Sequence, residues 1–296
     1  MAKGKAVEAE LLTDARAELG EGALWDSRKG VLYWVNITGE EVHFYDPRTG
    51  RDTSLSVGQK VGTVVCRKGG GLMLAVQHGF ARFDPVARHL EIVADPESQI
   101  PTNRFNDGKC DPAGRFWAGT MALDNKEGAG ALYRMEPGGS VHRMLTGVSC
   151  SNGIVWSRDA RTMYYIDTPT REVSAFDYNR ATGEITNRRA AVRVPEPVGL
   201  PDGMCIDAKD NLWVAMWGGS CVTRWNPKTG VMVASYPLPA SQVTSCAFGG
   251  DALNELYVTT ARIGLSPEAL EKEPHAGGLF RLRPGAKGLP AAEFAG

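Results

Sequence analysis

The sequence contains no apolar run long enough to cross a bilayer as a helix, so no membrane span is expected. Charge of neither sign dominates. The 33 basic residues face 34 acidic ones, a formal net charge of -1. That balance excludes the basic footprint of a nucleic-acid binder. The first residues, Met1 to Glu10, lack the apolar core of a secretory signal, so a cytoplasmic protein is expected. None of the 6 cysteines forms a C-x-x-C pair. Cys66, Cys110, Cys205 and Cys246 lie in apolar runs, where a free thiol behaves as a small hydrophobe. Reduced thiols fit the same compartment. Signatures of a G-x-S-x-G nucleophile, a P-loop and a dinucleotide fold are missing, and Gly20-Glu21-Gly22 opens no helix. The 5 histidines show no metal-ligand spacing. His43, His89, His142 and His275 are expected at the surface, and His78 and Trp217 as walls or packing residues. Helical periodicity is weak except over Pro267 to Lys272.

What is present is a repeat. A carboxylate or amide stands one or two places before a glycine, and an apolar stretch follows. The pattern occurs at Glu21-Gly22-Ala23-Leu24-Trp25, Asn106-Asp107-Gly108-Lys109-Cys110, Asn152-Gly153-Ile154-Val155-Trp156 and Asp202-Gly203-Met204-Cys205-Ile206. Each is followed by a tight turn and a second apolar run. Those runs anchor on Leu32, Leu72, Phe116, Met163, Leu212 and Leu256, about 45 residues apart, the period of a four-stranded propeller blade. The turns between them, such as Asp111-Pro112-Ala113-Gly114 and Asp207-Ala208-Lys209-Asp210, use residues suited to sharp reversals. The expected fold is therefore all-β, a six-bladed β-propeller with four antiparallel strands per blade and a central metal site. Residues 1–296 are expected to form one domain. The last unit lacks a fourth strand of its own, and the segment Val7 to Leu12 is expected to supply it and close the ring.

In such a ring the first strand of each blade lines the central channel. Glu21, Asn106, Asn152 and Asp202 then converge from four blades, with no lysine or arginine at the matching positions of the other two. Carboxylates in a narrow channel are costly unless paired or bound to a cation. A glutamate, an aspartate and an asparagine around one divalent ion balance its charge and leave positions open for water and substrate. A water-filled polar channel would use the same residues without an ion. Arg104 lies two residues before Asn106, on the same face of an extended strand, and is a candidate for holding hydroxyl or carbonyl oxygens.

The chain resembles the regucalcin/gluconolactonase family of six-bladed propellers. The resemblance runs from about Leu19 onward. It is carried by Gly20-Glu21-Gly22-Ala23-Leu24-Trp25, by Asn103 to Arg115, by Gly119-Thr120-Met121, by Ser151-Asn152-Gly153, by Pro201 to Asp207 and by Cys246-Ala247-Phe248-Gly249-Gly250. It implies metal-dependent hydrolysis of sugar lactones to aldonic acids, with a small-molecule sugar lactone as the partner. It implies metal ligands at Glu21, Asn152 and Asp202, substrate contacts at Arg104 and Asn106, and Asp202 as general base. Asp124 falls where the family often has a glutamate, one methylene longer, and is expected to contact the substrate. The cofactor is expected to be one divalent cation, calcium, zinc, manganese or magnesium, since oxygen donors suit hard ions and zinc accepts carboxylates. A monomer or small homo-oligomer is expected. The alternatives are a propeller hydrolase acting on phosphotriesters or other esters, and a non-enzymatic calcium-binding protein.

Overall fold

The computed structural model describes residues 7–296. Its strands form six four-stranded antiparallel sheets, five of them taking their strands in unbroken chain order. In the sixth, Glu10–Thr13 pairs with Leu279–Leu282, so the start of the chain supplies the outer strand beside the last segments. The ring is therefore closed by joining its two ends.

The six inner strands are Gly20–Asp26, Val61–Cys66, Asn103–Cys110, Ser151–Trp156, Leu200–Ile206 and Val243–Gly249. All their residues are buried except Lys109 and Leu200, which are half-buried. The second strands are rich in aromatic and β-branched residues, as in Val31–Asn36 and Thr162–Asp167. They do not alternate apolar with polar, because each blade packs neighbours on both faces. The core is accordingly divided into six layers between adjacent blades. Leu24 and Tyr33 of blade one meet Val64 and Leu74 of blade two, and Trp25 and Trp34 meet Tyr257 and Leu279 of blade six. Trp117 and Leu132 of blade three meet Ile154 and Met163 of blade four.

Two aspartates that read as turn formers do more than turn the chain. Asp111 Oδ2 accepts from Trp117 Nε1 at 2.9 Å, Tyr178 OH at 2.7 Å and Arg115 Nη1 at 3.2 Å. Asp207 Oδ2 likewise accepts from Trp213 Nε1 and Arg224 Nη2. Each aspartate thus ties the turn after an inner strand to the next strand's tryptophan and to an arginine. His43 also departs from expectation. It is buried, stacked on Trp34 with ring centroids 3.7 Å apart, and its Nδ1 lies 2.8 Å from Asp52 Oδ2. His89 and His142 are exposed as expected. All 6 cysteines are free thiols, and among the described residues no helix is long and apolar enough to cross a membrane.

After its last strand the chain crosses the lower face of the ring. Lys287 O accepts from Ala208 N of blade five, and Phe294 N donates to Cys66 O of blade two. Ala295 N donates to Gly114 O of blade three. Phe294 is buried among residues of blades two and three, which fixes the strap in place.

Candidate active site

The repeated polar-glycine pattern has a structural cause. Every inner strand shifts register against its second strand near its start: between Glu21 and Leu24, Val61 and Thr63, Phe105 and Gly108, Ser151 and Ile154, Pro201 and Met204, and Val243 and Ser245. A bulge re-aims the side chain at which it occurs. Here six bulges face one axis. Glycine follows because neighbouring inner strands approach closely at this level. A Cβ on Gly153 would stand 2.8 Å from Met204 N, and one on Gly203 would stand 2.8 Å from Thr244 O. Polar donors and close-packed glycines therefore recur together.

Glu21, Asn106, Asn152 and Asp202 are all buried and share this level of the channel. The Glu21 and Asp202 carboxyls lie within hydrogen-bond reach of each other. Glu21 Oε2 also accepts from Gly22 N at 3.0 Å. Asp202 Oδ1 is buried without a hydrogen-bond partner. Asn106 Nδ2 donates to Ser151 O at 2.7 Å and to Asn152 Oδ1 at 3.3 Å. Arg104 is buried too, and its Nη1 donates to Asn106 Oδ1 at 2.6 Å and to Phe105 O at 3.0 Å. Five of the residues singled out from the sequence are thus brought together. Asp124 is not among them. It is exposed on the loop after the second strand of blade three, where its Oδ1 accepts from Lys126 N. His78 is exposed and Trp217 half-buried.

Three further residues shape the site: Thr168, expected on this face from its loop, Asp107 of the repeated pattern, and Glu97, which carried no sequence signal. Thr168 Oγ1 donates to Pro201 O at 2.8 Å, so towards Asn152 it can only accept. Asn152 Nδ2 donates to it at 2.8 Å, which turns the Asn152 carbonyl oxygen towards the channel. Glu97 accepts from Asn103 Nδ2, Thr120 Oγ1 and Tyr133 OH at 2.9, 2.9 and 3.0 Å. It anchors the start of the strand that carries Arg104. Asp107, next to Asn106 in the bulge, is buried with Oδ2 unpartnered.

The electrostatics follow from this crowding. Burial pushes the Glu21 carboxyl up to about 8, and the Asp107 charge adds to the effect. Burial and then the Glu21 charge hold Asp202 well above the usual carboxylate range. Burial raises Asp107 as well, opposed by Lys109. Burial also lowers the Arg104 guanidinium. Without a cation, one carboxyl proton between Glu21 and Asp202 relieves the repulsion. A divalent ion would do so better. The residues fit one: the orphaned Asp202 oxygen, the Glu21 carboxylate and the oriented Asn152 carbonyl are hard oxygen donors. Among the described residues no group of three or more His, Cys, Asp or Glu has the disposition of a metal site. The present set has two carboxylates, its third donor being an amide.

Comparison with known proteins places the chain in a family. Residues 19–262 match the family described as SMP-30/Gluconolactonase/LRE-like region. The regucalcin of Danio rerio is 42% identical over 293 residues, covering 98% of this chain and 99% of that protein. A Bacillus subtilis protein assigned as a sugar lactone lactonase, YvrE, is 39% identical over 290 residues, with 98% and 99% of the two chains covered. The structure of a calcium-binding regucalcin from Agrobacterium tumefaciens superposes with a TM-score of 0.93 at 29% identity, covering 98% of each chain. The chain belongs to the SMP-30/gluconolactonase/LRE-like family.

Proposed function

We propose that the protein hydrolyses sugar lactones to aldonic acids at the channel mouth, with one divalent cation held by Glu21, Asn152 and Asp202. The observation that carries this reading is the buried pair Glu21 and Asp202, closed by an asparagine whose carbonyl a threonine turns inward. The similarity to proteins named for lactone hydrolysis and calcium binding supports it. When bound, the cation supplies Lewis-acid polarisation of the lactone carbonyl. An all-oxygen donor set favours calcium, magnesium or manganese over softer ions.

The chain's own groups do the rest. Asp202, whose Oδ1 is the oxygen offered to the ion, takes the proton of the attacking water on its other carboxylate oxygen. The water oxygen bonds to the carbonyl carbon, the ring C–O bond breaks, and the ring oxygen leaves as a hydroxyl carrying the proton that Asp202 took from the water. Arg104 offers a buried cation to the sugar oxygens, and the Asn106 amide shares its carbonyl with Arg104. Asp124, exposed on its loop, is offered to a distal hydroxyl of the substrate. Asp202→Asn tests the base assignment. At saturating cation its turnover should fall by about 10²–10⁴-fold. Near-normal turnover of that variant would remove Asp202 from the proton transfer.

A further inference from the structure

At its lower end the central channel opens into a cavity of about 220 Å³ on the far side of the ring from the Glu21–Asp202 cluster. Its walls come from the last residues of five inner strands and from the strap that follows the final strand. Trp25, Trp156, Phe248 and Leu289 make it apolar. The charged groups that line it are Lys109 and Arg158, with no aspartate or glutamate. The cavity therefore combines a hydrocarbon wall with charge of one sign.

Two donors here are underused. Lys109 is half-buried, and its ammonium carries three N–H groups, one of which reaches Met204 O. Asp107 feels the lysine's charge from the channel side, but the two do not approach within ion-pair distance. Trp156 is 6% exposed, and its Nε1–H is buried with no acceptor. A buried donor without an acceptor costs about 1–3 kcal/mol and is rare in native interiors. An acceptor-rich ligand would satisfy the remaining N–H groups of Lys109. An apolar cavity of about 150 Å³ already holds benzene, so the space suffices for a ring and a carboxylate.

We propose that this cavity is a second binding site, distinct from the lactone site, for a small apolar carboxylate. The ring or short hydrocarbon lies against the two tryptophans and Phe248. The carboxylate meets Lys109, with Arg158 at the mouth. A sugar does not suit these walls, which would leave its hydroxyls unpaired. A cation would meet two like charges.

The test is a titration with benzoate and hexanoate, followed by calorimetry and by quenching of tryptophan fluorescence, since Trp25 and Trp156 line the cavity. Benzyl alcohol and benzylamine serve as the neutral and cationic matches. The site predicts saturable binding of one carboxylate per chain, with and without added divalent cation. Asp202→Asn should leave that binding unchanged, and Lys109→Met should weaken it by at least about tenfold, the value of a charge-assisted hydrogen bond. If Lys109→Met fails to fold, Lys109→Gln keeps a donor for Met204 O and removes the charge. Arg158→Ala, at an exposed position, should weaken binding by a smaller factor. Three results would each overturn the proposal: no saturable binding, equal binding of benzyl alcohol, or carboxylate binding that is lost with the divalent cation or in Asp202→Asn.

Discussion

Adding a divalent cation to the cation-free protein at pH 7 should expel at least one proton per ion bound. The cause is the Glu21–Asp202 pair. Burial and the neighbouring Asp107 raise Glu21 from its ordinary 4.5 to about 8, and Asp202 is raised as well. At pH 7 the pair therefore retains a proton, which the ion must displace, because only the ionised carboxylates can ligate it. The sign follows. Affinity rises with pH through the range up to about 8 over which Glu21 ionises. One proton displaced means about tenfold in affinity per pH unit, or about 1.4 kcal/mol. Calorimetry in two buffers of different ionisation enthalpy counts the protons directly. The same shift makes the cation-free fold pH-dependent. A carboxyl raised on folding stabilises the fold below its unfolded value, and that contribution is lost as pH rises from 4.5 towards about 8. The cation-free melting temperature should therefore fall over that range, and the loaded protein should resist the fall. An affinity that is the same at pH 6 and pH 7, with no proton released, would refute the argument.

Other perturbations separate the parts of the site. Thr168→Val keeps the shape but frees the Asn152 amide, and should weaken cation binding by about 10–100-fold in a calorimetric titration without loss of fold. Arg104→Ala should raise KM for a lactone by about tenfold or more and change kcat less, as expected for a contact equal in ground and transition states. A fall confined to kcat would mean that the arginine acts on the transition state alone. Asp111→Ala leaves Arg115, Trp117 and Tyr178 without their shared acceptor and should cost about 3–5 kcal/mol in denaturant unfolding.

The fold was legible because a propeller writes its period into the chain. Leu32, Leu72, Phe116, Met163, Leu212 and Leu256 are each the second strand's anchor, and each is fully or almost fully buried. The convergence of Glu21, Asn106, Asn152 and Asp202 was legible for the same reason, since equivalent positions in successive blades face one axis. The bulges that aim them were not, because a bulge is a property of register between two strands. Thr168 could be placed on this face by its loop, but its hold on Asn152 could not be read, and nothing local marks Glu97, which holds Asn103. The burial of His43 depends on Asp52, which lies opposite Tyr45 on the neighbouring strand, and on the face of Trp34. The strap across the lower face was also unreadable, since the stretch from Arg283 to Gly296 carries no strand pattern and its backbone partners lie in blades two, three, five and six.

The central claim is that one divalent cation in this channel makes the protein a sugar lactonase. The direct measurement is acid release from a panel of aldonolactones by metal-stripped protein, with calcium, magnesium, manganese or zinc then added back. The account predicts little turnover when stripped and recovery with at least one ion, on at least one lactone. A folded protein that is inert towards every lactone with every ion, or equally active when stripped, would contradict it.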